Sequence, residues 1–178
     1  MKTYKPIKII ATGYYLPKAV SSEEIESKHN LSPGWSLRHS GVINRHHVTD
    51  ESNGYMGAKA IEFALSNSEL KLSDIDLIIS AGATFDYPLP NQSSIIKSEL
   101  ENGNNYNIPT IDVDTTCLSF VTSFDIASRY LDGTQYKNII IVSSEIGSNG
   151  LNLNNPETLT LFGDAAAAVI VSFTNDSE

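Results

Sequence analysis

Ile108-Pro-Thr110-Ile-Asp112-Val-Asp114-Thr-Thr116-Cys117-Leu-Ser-Phe120 is the stretch on which the reading of the fold turns. It reads as a short strand, Thr110 to Val113, that runs directly into a helix with a cysteine at the turn. The helix carries Leu118, Val121, Phe124 and Asp125 on one face, with Phe120, Ile126 and Ala127 beside it, a pattern so apolar that it predicts near-complete burial. Outward from this unit, further short apolar runs predict strands at Lys8 to Thr12, Leu77 to Ala81, Asn138 to Ser143 and Ala165 to Phe173. The run Ile139 to Val142 is apolar without alternation, as in a central strand buried on both faces. Segments of helical period lie between. Ser52 to Leu65 places Met56, Ala60, Phe63 and Ala64 on one face, and Asn91 is a candidate cap for a helix carrying Ile95, Ile96 and Leu100. Loops are expected at Gly13 to Pro17, Asn102 to Pro109 and Ser148 to Pro156. The alternation predicts an α/β fold, with a mixed sheet covered by helices on both faces.

At 178 residues and 40% hydrophobic, the chain suits one α/β domain spanning 1–178. Its net charge of -9 and the lack of a basic run argue against nucleic acid and anionic membrane as partners. A single cysteine has no partner for an internal disulfide or a thiolate metal site, which fits a reducing, cytoplasmic setting. The opening, Met1 to Pro6, lacks the order of a signal peptide, and no run approaches a membrane span. No metal is expected, since adjacent His46 and His47 are poorly spaced as ligands. A dinucleotide-binding turn is excluded, because Gly13-Tyr-Tyr-Leu-Pro17 lacks the glycine spacing.

Cys117 is the residue with chemical potential. At a helix amino terminus, free N–H groups and the dipole stabilise a thiolate and can receive the oxyanion of an attacked thioester. From the residues alone, the other reading is a small buried hydrophobe.

Four segments, in order, resemble the ketoacyl-[acyl carrier protein] synthase III family of thiolase-like condensing enzymes. Ile9-Ile-Ala-Thr-Gly-Tyr-Tyr-Leu-Pro17 is similar to its opening strand and turn. Trp35 followed by Ser40-Gly41-Val-Ile-Asn-Arg45-His46 resembles its tryptophan, threonine-glycine-isoleucine and arginine-histidine stretch. Asp112 to Phe120 resembles its active-site cysteine segment, and Phe162-Gly-Asp-Ala-Ala-Ala-Ala168 its phenylalanine-glycine-aspartate turn. The resemblance implies thiolase-like α/β/α layers around a five-stranded mixed sheet, one of two similar halves of the family fold. Asn175 to Glu178 then falls where the first, amino-terminal half finishes.

The implied activity is acyl transfer, in which Cys117 accepts an acyl group from acyl-coenzyme A or acyl carrier protein for condensation with a malonyl carrier protein. No cofactor is implied. The family's catalytic histidine and asparagine belong to its second half, and none of His29, His39, His46 or His47 matches them. By resemblance Trp35 is the adenine-stacking residue, with a half-buried anchoring aromatic as the plainer reading. Arg38 is the nearby cation, Leu89 reaches across a homodimer toward the partner's acyl pocket, and Phe162 packs near the cysteine, chiefly as core beside Gly163. His39 stands where the family has an arginine four residues after its tryptophan, and Pro156 where it has a second one. Thr115, Thr116 and Ser119 replace small residues and a glycine around the cysteine. These departures favour a carrier-protein donor and admit a secondary-metabolism acyltransferase of the same family. A non-catalytic thiolase-fold subunit that pairs with an active partner is the alternative; retention of Cys117 weighs against it.

Overall fold

The structure, a computed structural model, describes residues 7–175. The readings of Met1 to Pro6 and of the last three residues lie outside the described residues. Five strands form one mixed sheet in the order β1 (Ile7–Tyr15), β7 (Asp164–Phe173), β6 (Asn138–Ile146), β4 (Leu77–Ala81), β5 (Thr110–Val113). β4 is parallel to both β5 and β6, whereas β7 runs antiparallel to β6 and β1 antiparallel to β7. Helices α3 (Asn53–Ser66) and α4 (Gln92–Glu99) cover one face, and α5 (Ser119–Tyr130) covers the other. This is the expected α/β/α layering.

Ile139, Ile140, Ile141 and Val142 are fully buried, and their alternation sends Ile140 and Val142 toward α3, Ile139 and Ile141 toward α5. Each such side chain contributes about 1.5–3 kcal/mol by leaving water, so β6 is the spine of both cores. Thr110 to Val113 lies at one edge of the sheet.

Several boundaries differ from expectation. β1 continues through Gly13, Tyr14 and Tyr15, read above as loop. There Gly13 lies so close to α3 that a Cβ would overlap Ala64 N and Ala60 O. A two-stranded antiparallel ribbon, β2 (Lys18–Ser21) with β3 (Asn44–His47), went unforeseen because its polar residues show no apolar alternation. Phe63 leaves the buried face of α3 and packs edge-on against Tyr14, with ring centroids 5.3 Å apart. Asn91 holds the N-cap position of α4, yet its side chain does not cap. Asp112 on β5 does so instead, accepting from Gln92 N at 2.7 Å and Ser93 N at 2.9 Å. No helix among the described residues is long and apolar enough to cross a membrane.

The Gly13 contact yields a test. Gly13→Ala should destabilise the chain by about 3 kcal/mol, the upper range for overpacking, because the obstructing atoms are backbone. Urea unfolding checks this, and a loss under about 1 kcal/mol would show that β1 and α3 separate easily.

Candidate active site

After Val113 the chain makes a turn whose backbone is strained at one residue. Thr116 has φ of 53°, in the left-handed region that a β-branched residue rarely occupies. Side chains hold it there. Asp114 Oδ1 accepts from Thr116 N at 3.0 Å, Ser119 Oγ accepts from Thr115 N at 3.0 Å, and the same hydroxyl donates to Thr116 O at 2.7 Å. Cys117 follows in a 3₁₀ turn, Thr116–Leu118, one step ahead of α5. Its side chain is exposed, which removes the reading as a small buried hydrophobe.

The cysteine helix is not nearly buried. Its sheet-facing side consists of Ser119, Ser123 and Ala127, spaced four apart, while Leu118 is 64% and Val121 63% exposed. Small residues let the helix lie close on the sheet, Phe124 and Ile126 pack against the same core from its flanks, and Leu118 and Val121 project on the opposite side. Asp125, grouped with that stripe above, pairs with Arg129 at 2.9 Å on the surface.

Leu89 lies on a loop between β4 and α4 and is 85% exposed. With Phe85, Tyr87, Asp112 and Asp114 it borders a cleft of about 620 Å³. Asp114 also anchors the Cys117 turn, so Leu89 and the cysteine segment share this corner.

Trp35 and Arg38 sit on a short helix, α2 (Trp35–His39). Its first turn is capped from outside by Glu26 on α1 (Ser22–Lys28), which is buried and accepts from Ser36 N and Gly34 N, each at 2.8 Å. The Ser36 N–H holds the Glu26 carboxyl below the usual carboxylate range, and the Gly34 N–H adds to this, against the opposing effect of burial. Arg38 turns back on the preceding loop, donating to Pro33 O and Ser32 Oγ at 3.1 Å each. Trp35 is half-buried, as the plainer reading expected.

Phe162 is 49% exposed, so it is not chiefly a core residue. It follows α6 (Pro156–Leu159) and precedes β7, outside the packed layers. Arg45 Nη2 donates to Thr160 O at 2.7 Å, and Ser40 Oγ reaches the same oxygen at 3.4 Å. Those bonds tie the segment after α2 to the Phe162 turn. Cys117 and Leu89 thus share one corner of the sheet end, and the bonds to Thr160 bring the segment that follows Trp35 and Arg38 to the Phe162 turn. β5 and β7, which lead to them, are three strand spacings apart, about 14 Å. This is the end where the parallel strands finish, the usual place for ligands in such sheets.

Sequence reasoning missed Glu26, Asp112 and Thr116. The first two act on backbone groups distant in sequence, and nothing local marks them. Among the described residues no three His, Cys, Asp or Glu side chains converge as a metal site.

Residues 111–178 match the family model described as 3-Oxoacyl-[acyl-carrier-protein (ACP)] synthase III, a span that includes Cys117 and Phe162 but neither Trp35 nor Leu89. A beta-ketoacyl-[acyl-carrier-protein] synthase III of Neisseria gonorrhoeae (strain NCCP11945) is 34% identical over 167 residues, 93% of this chain and 52% of that protein. The crystal structure of 3-oxoacyl-[acyl-carrier-protein] synthase III from Aquifex aeolicus VF5 superposes with a TM-score of 0.87 at 28% identity, covering 96% of this chain and 55% of that one. The priming beta-ketosynthase of the R1128 polyketide biosynthetic pathway shares the fold, with a TM-score of 0.87 at 22% identity over 99% of this chain and 52% of its own. The chain spans about half the length of the relatives it matches. Its fold is thiolase-like.

Two measurements probe the local geometry. Thr116→Gly removes a left-handed penalty of about 1–2 kcal/mol while losing the Thr116 hydroxyl bond and gaining unfolded-state freedom, so a net stabilisation of about 0.5–1 kcal/mol is expected by denaturant midpoint. A destabilised variant would mean that the turn is not strained. Glu26→Gln should be less stable than the parent at neutral pH. Because the folded carboxyl titrates below its ordinary 4.5, its contribution is complete above that pH and is lost as pH falls through the folded value. The two melting temperatures should converge on acidification, and a pH-independent gap would contradict the capping role.

Proposed function

We propose, from the kinship of this chain in sequence and fold with the 3-oxoacyl-[acyl-carrier-protein] synthase III family, that it is the acyl-accepting, amino-terminal half of a condensing enzyme. The observation that carries this is Cys117 itself, an exposed thiol on a strained strand-to-helix turn at the carboxyl end of the parallel strands. Strain in a β-branched residue persists only where its surroundings enforce it, and such positions cluster at functional sites.

In the first step the Cys117 sulfur, as thiolate, attacks the carbonyl carbon of an acyl thioester. The carbon–sulfur bond to the donor breaks, and the donor thiolate leaves and takes up a proton. The acyl group then rests on Cys117 as a new thioester. Condensation requires a second substrate, a malonyl carrier protein, whose decarboxylation supplies the carbanion that displaces the cysteine sulfur. Groups that stabilise the developing charge on the malonyl thioester come, in this reading, from a second half, on the same polypeptide or on a partner. The outward apolar stripe of α5 and the open edge of β5 support pairing, since both are adhesive until covered. The same two surfaces support a second reading, in which the chain shapes a partner's site without being acylated.

Acylation separates the two readings. On incubation with a short-chain acyl carrier protein, the 178-residue chain should gain the mass of one acyl group, and Cys117→Ser should gain none. The purified chain with malonyl carrier protein should give no ketoacyl product. Absence of acylation would favour the pairing subunit, whereas ketoacyl product would show that the condensing groups lie within this chain.

A further inference from the structure

Asparagine is followed by glycine three times, at Asn53-Gly54, Asn102-Gly103 and Asn149-Gly150. Such a pair can react with itself in water, because the glycine nitrogen has no neighbouring side chain to keep it from the asparagine carboxamide. The fold treats the three pairs differently. Asn53 is buried in the first turn of α3, where its Nδ2 donates to Thr84 O at 2.9 Å and to Thr84 Oγ1 at 2.8 Å, and Gly54 N donates to Asp86 Oδ2 at 2.7 Å. Asn102 precedes a 3₁₀ turn, Gly103–Asn105, in which Gly103 is buried and its N–H donates to Leu100 O at 2.9 Å. A Cβ on Gly103 would overlap Lys97 O, so this backbone is held in close contact with the end of α4. Asn149 lies in another 3₁₀ turn, Gly147–Gly150, but it is exposed and its side chain has no hydrogen-bond partner among the described residues. Gly150 is exposed too, and a Cβ built on it would meet nothing within 4 Å. The bonds of a 3₁₀ turn are of poor geometry, and a short exposed turn opens at little cost.

We propose that Asn149 is a site of spontaneous covalent modification, the one Asn-Gly pair that the fold leaves reactive. A solvent base removes the Gly150 amide proton and the nitrogen attacks Asn149 Cγ. The new N–Cγ bond closes a five-membered imide, the Cγ–Nδ2 bond breaks, and the amide group takes up a proton and leaves as ammonia. Water then opens the imide at either carbonyl, giving aspartate, or isoaspartate in which the main chain runs through Cγ. Each product puts a carboxylate one residue beyond Ser148, whose N–H and hydroxyl are held by buried Asp164 at 2.8 and 2.7 Å. Gly147, at the start of the same turn, sits against the Phe162 turn, where a Cβ on it would lie 3.3 Å from Gly163 O. The modification therefore falls on the loop that borders Phe162, and it adds a negative charge to a chain of net charge -9.

The test holds the 178-residue chain in mildly alkaline buffer, folded and in urea. Peptides carrying each pair are followed by mass for exchange of the amide for a carboxylate, and enzymatic methylation of isoaspartate is the second readout. In urea the three pairs should react at comparable rates, since no folded contact restrains them. In the folded chain Asn149 should be lost about tenfold or more faster than Asn53 and Asn102, which must first give up the bonds described above. Gly150→Ala fits without a clash, and its methyl group should slow the loss of Asn149 on the order of tenfold while leaving the other two pairs as they were. Equal rates at the three pairs in the folded chain, faster loss of Asn53 or Asn102, no isoaspartate at residue 149, or Gly150→Ala reacting like the parent would each overturn the proposal.

Discussion

Loops that leave the end of a buried sheet carry backbone N–H groups that no ladder reaches, and these must find acceptors elsewhere. Here carboxylates supply them at each exit. Glu145 on β6 accepts from Ala83 N at 2.7 Å and Thr84 N at 3.0 Å, holding the loop after β4. Asp86 on that loop accepts from Asn53 N at 2.8 Å and Gly54 N at 2.7 Å and so caps α3. Asp112 caps α4. Asp164, buried at the start of β7, accepts from Val48 N and Ser148 N, both at 2.8 Å. Remove these bonds and the loops after β4 and β6, the segment before α3 and the starts of α3 and α4 lose their anchors. Charged hydrogen bonds of this kind are the stronger class, which suits them to segments as far apart in sequence as Val48 and Asp164. Part of the chain's acidic excess is thus turned inward as scaffolding.

The same architecture explains why the cysteine helix keeps its bulky residues outside. A helix that must start at the end of β5 and lie across the sheet can approach closely only through small side chains, and Ser119, Ser123 and Ala127 supply that face. Leu118, Val121 and Phe120 are left without cover from the described residues. Exposed apolar side chains on consecutive turns of one helix form a patch of the kind that protein contacts occupy. Two independent features, this stripe and the unpaired edge of β5, lie on the element pair that presents Cys117.

Much of the layer plan was legible in the sequence, because a buried strand must be apolar on both faces. Ile139 to Val142 could be nothing else, and Leu77 to Ala81 and Thr110 to Val113 began and ended where their apolar runs did. The start of α3 at Ser52 was legible too, and there the Ser52 hydroxyl takes Tyr55 N at 3.0 Å within one turn. What escaped was non-local or depended on size rather than polarity. The cap of α4 comes from Asp112, about twenty residues on, which no rule for neighbouring residues can see. The polar ribbon of β2 and β3 is held by backbone pairing with little apolar pattern. In α5 the apolar face is only partly inward: Phe124, Ile126 and Ala127 meet the core, whereas the close fit of Ser119 and Ser123 to the sheet turns Leu118 and Val121 outward. Of the site, Cys117 and its turn were legible from the strand-to-helix transition. The stacking of His39 on Trp35 was not, because spacing of four permits that contact without requiring it.

The strained turn and the uncovered helix bear on one another. Thr116 adopts its left-handed conformation because three constraints meet there: β5 ends at Val113, α5 begins at Ser119, and the Asp114 and Ser119 side chains fix the intervening N–H and carbonyl groups. A turn under such constraint cannot swing its cysteine inward to be buried, so the thiol stays at the surface between an open strand edge and an apolar helix face. Whatever covers α5 therefore also forms the surroundings of Cys117. Its dielectric, the access of water to it, and the hydrogen-bond donors available to an oxyanion are set jointly by this chain and by that cover. The fold positions the sulfur, and in the proposed reading the cover of α5 completes the chemistry around it.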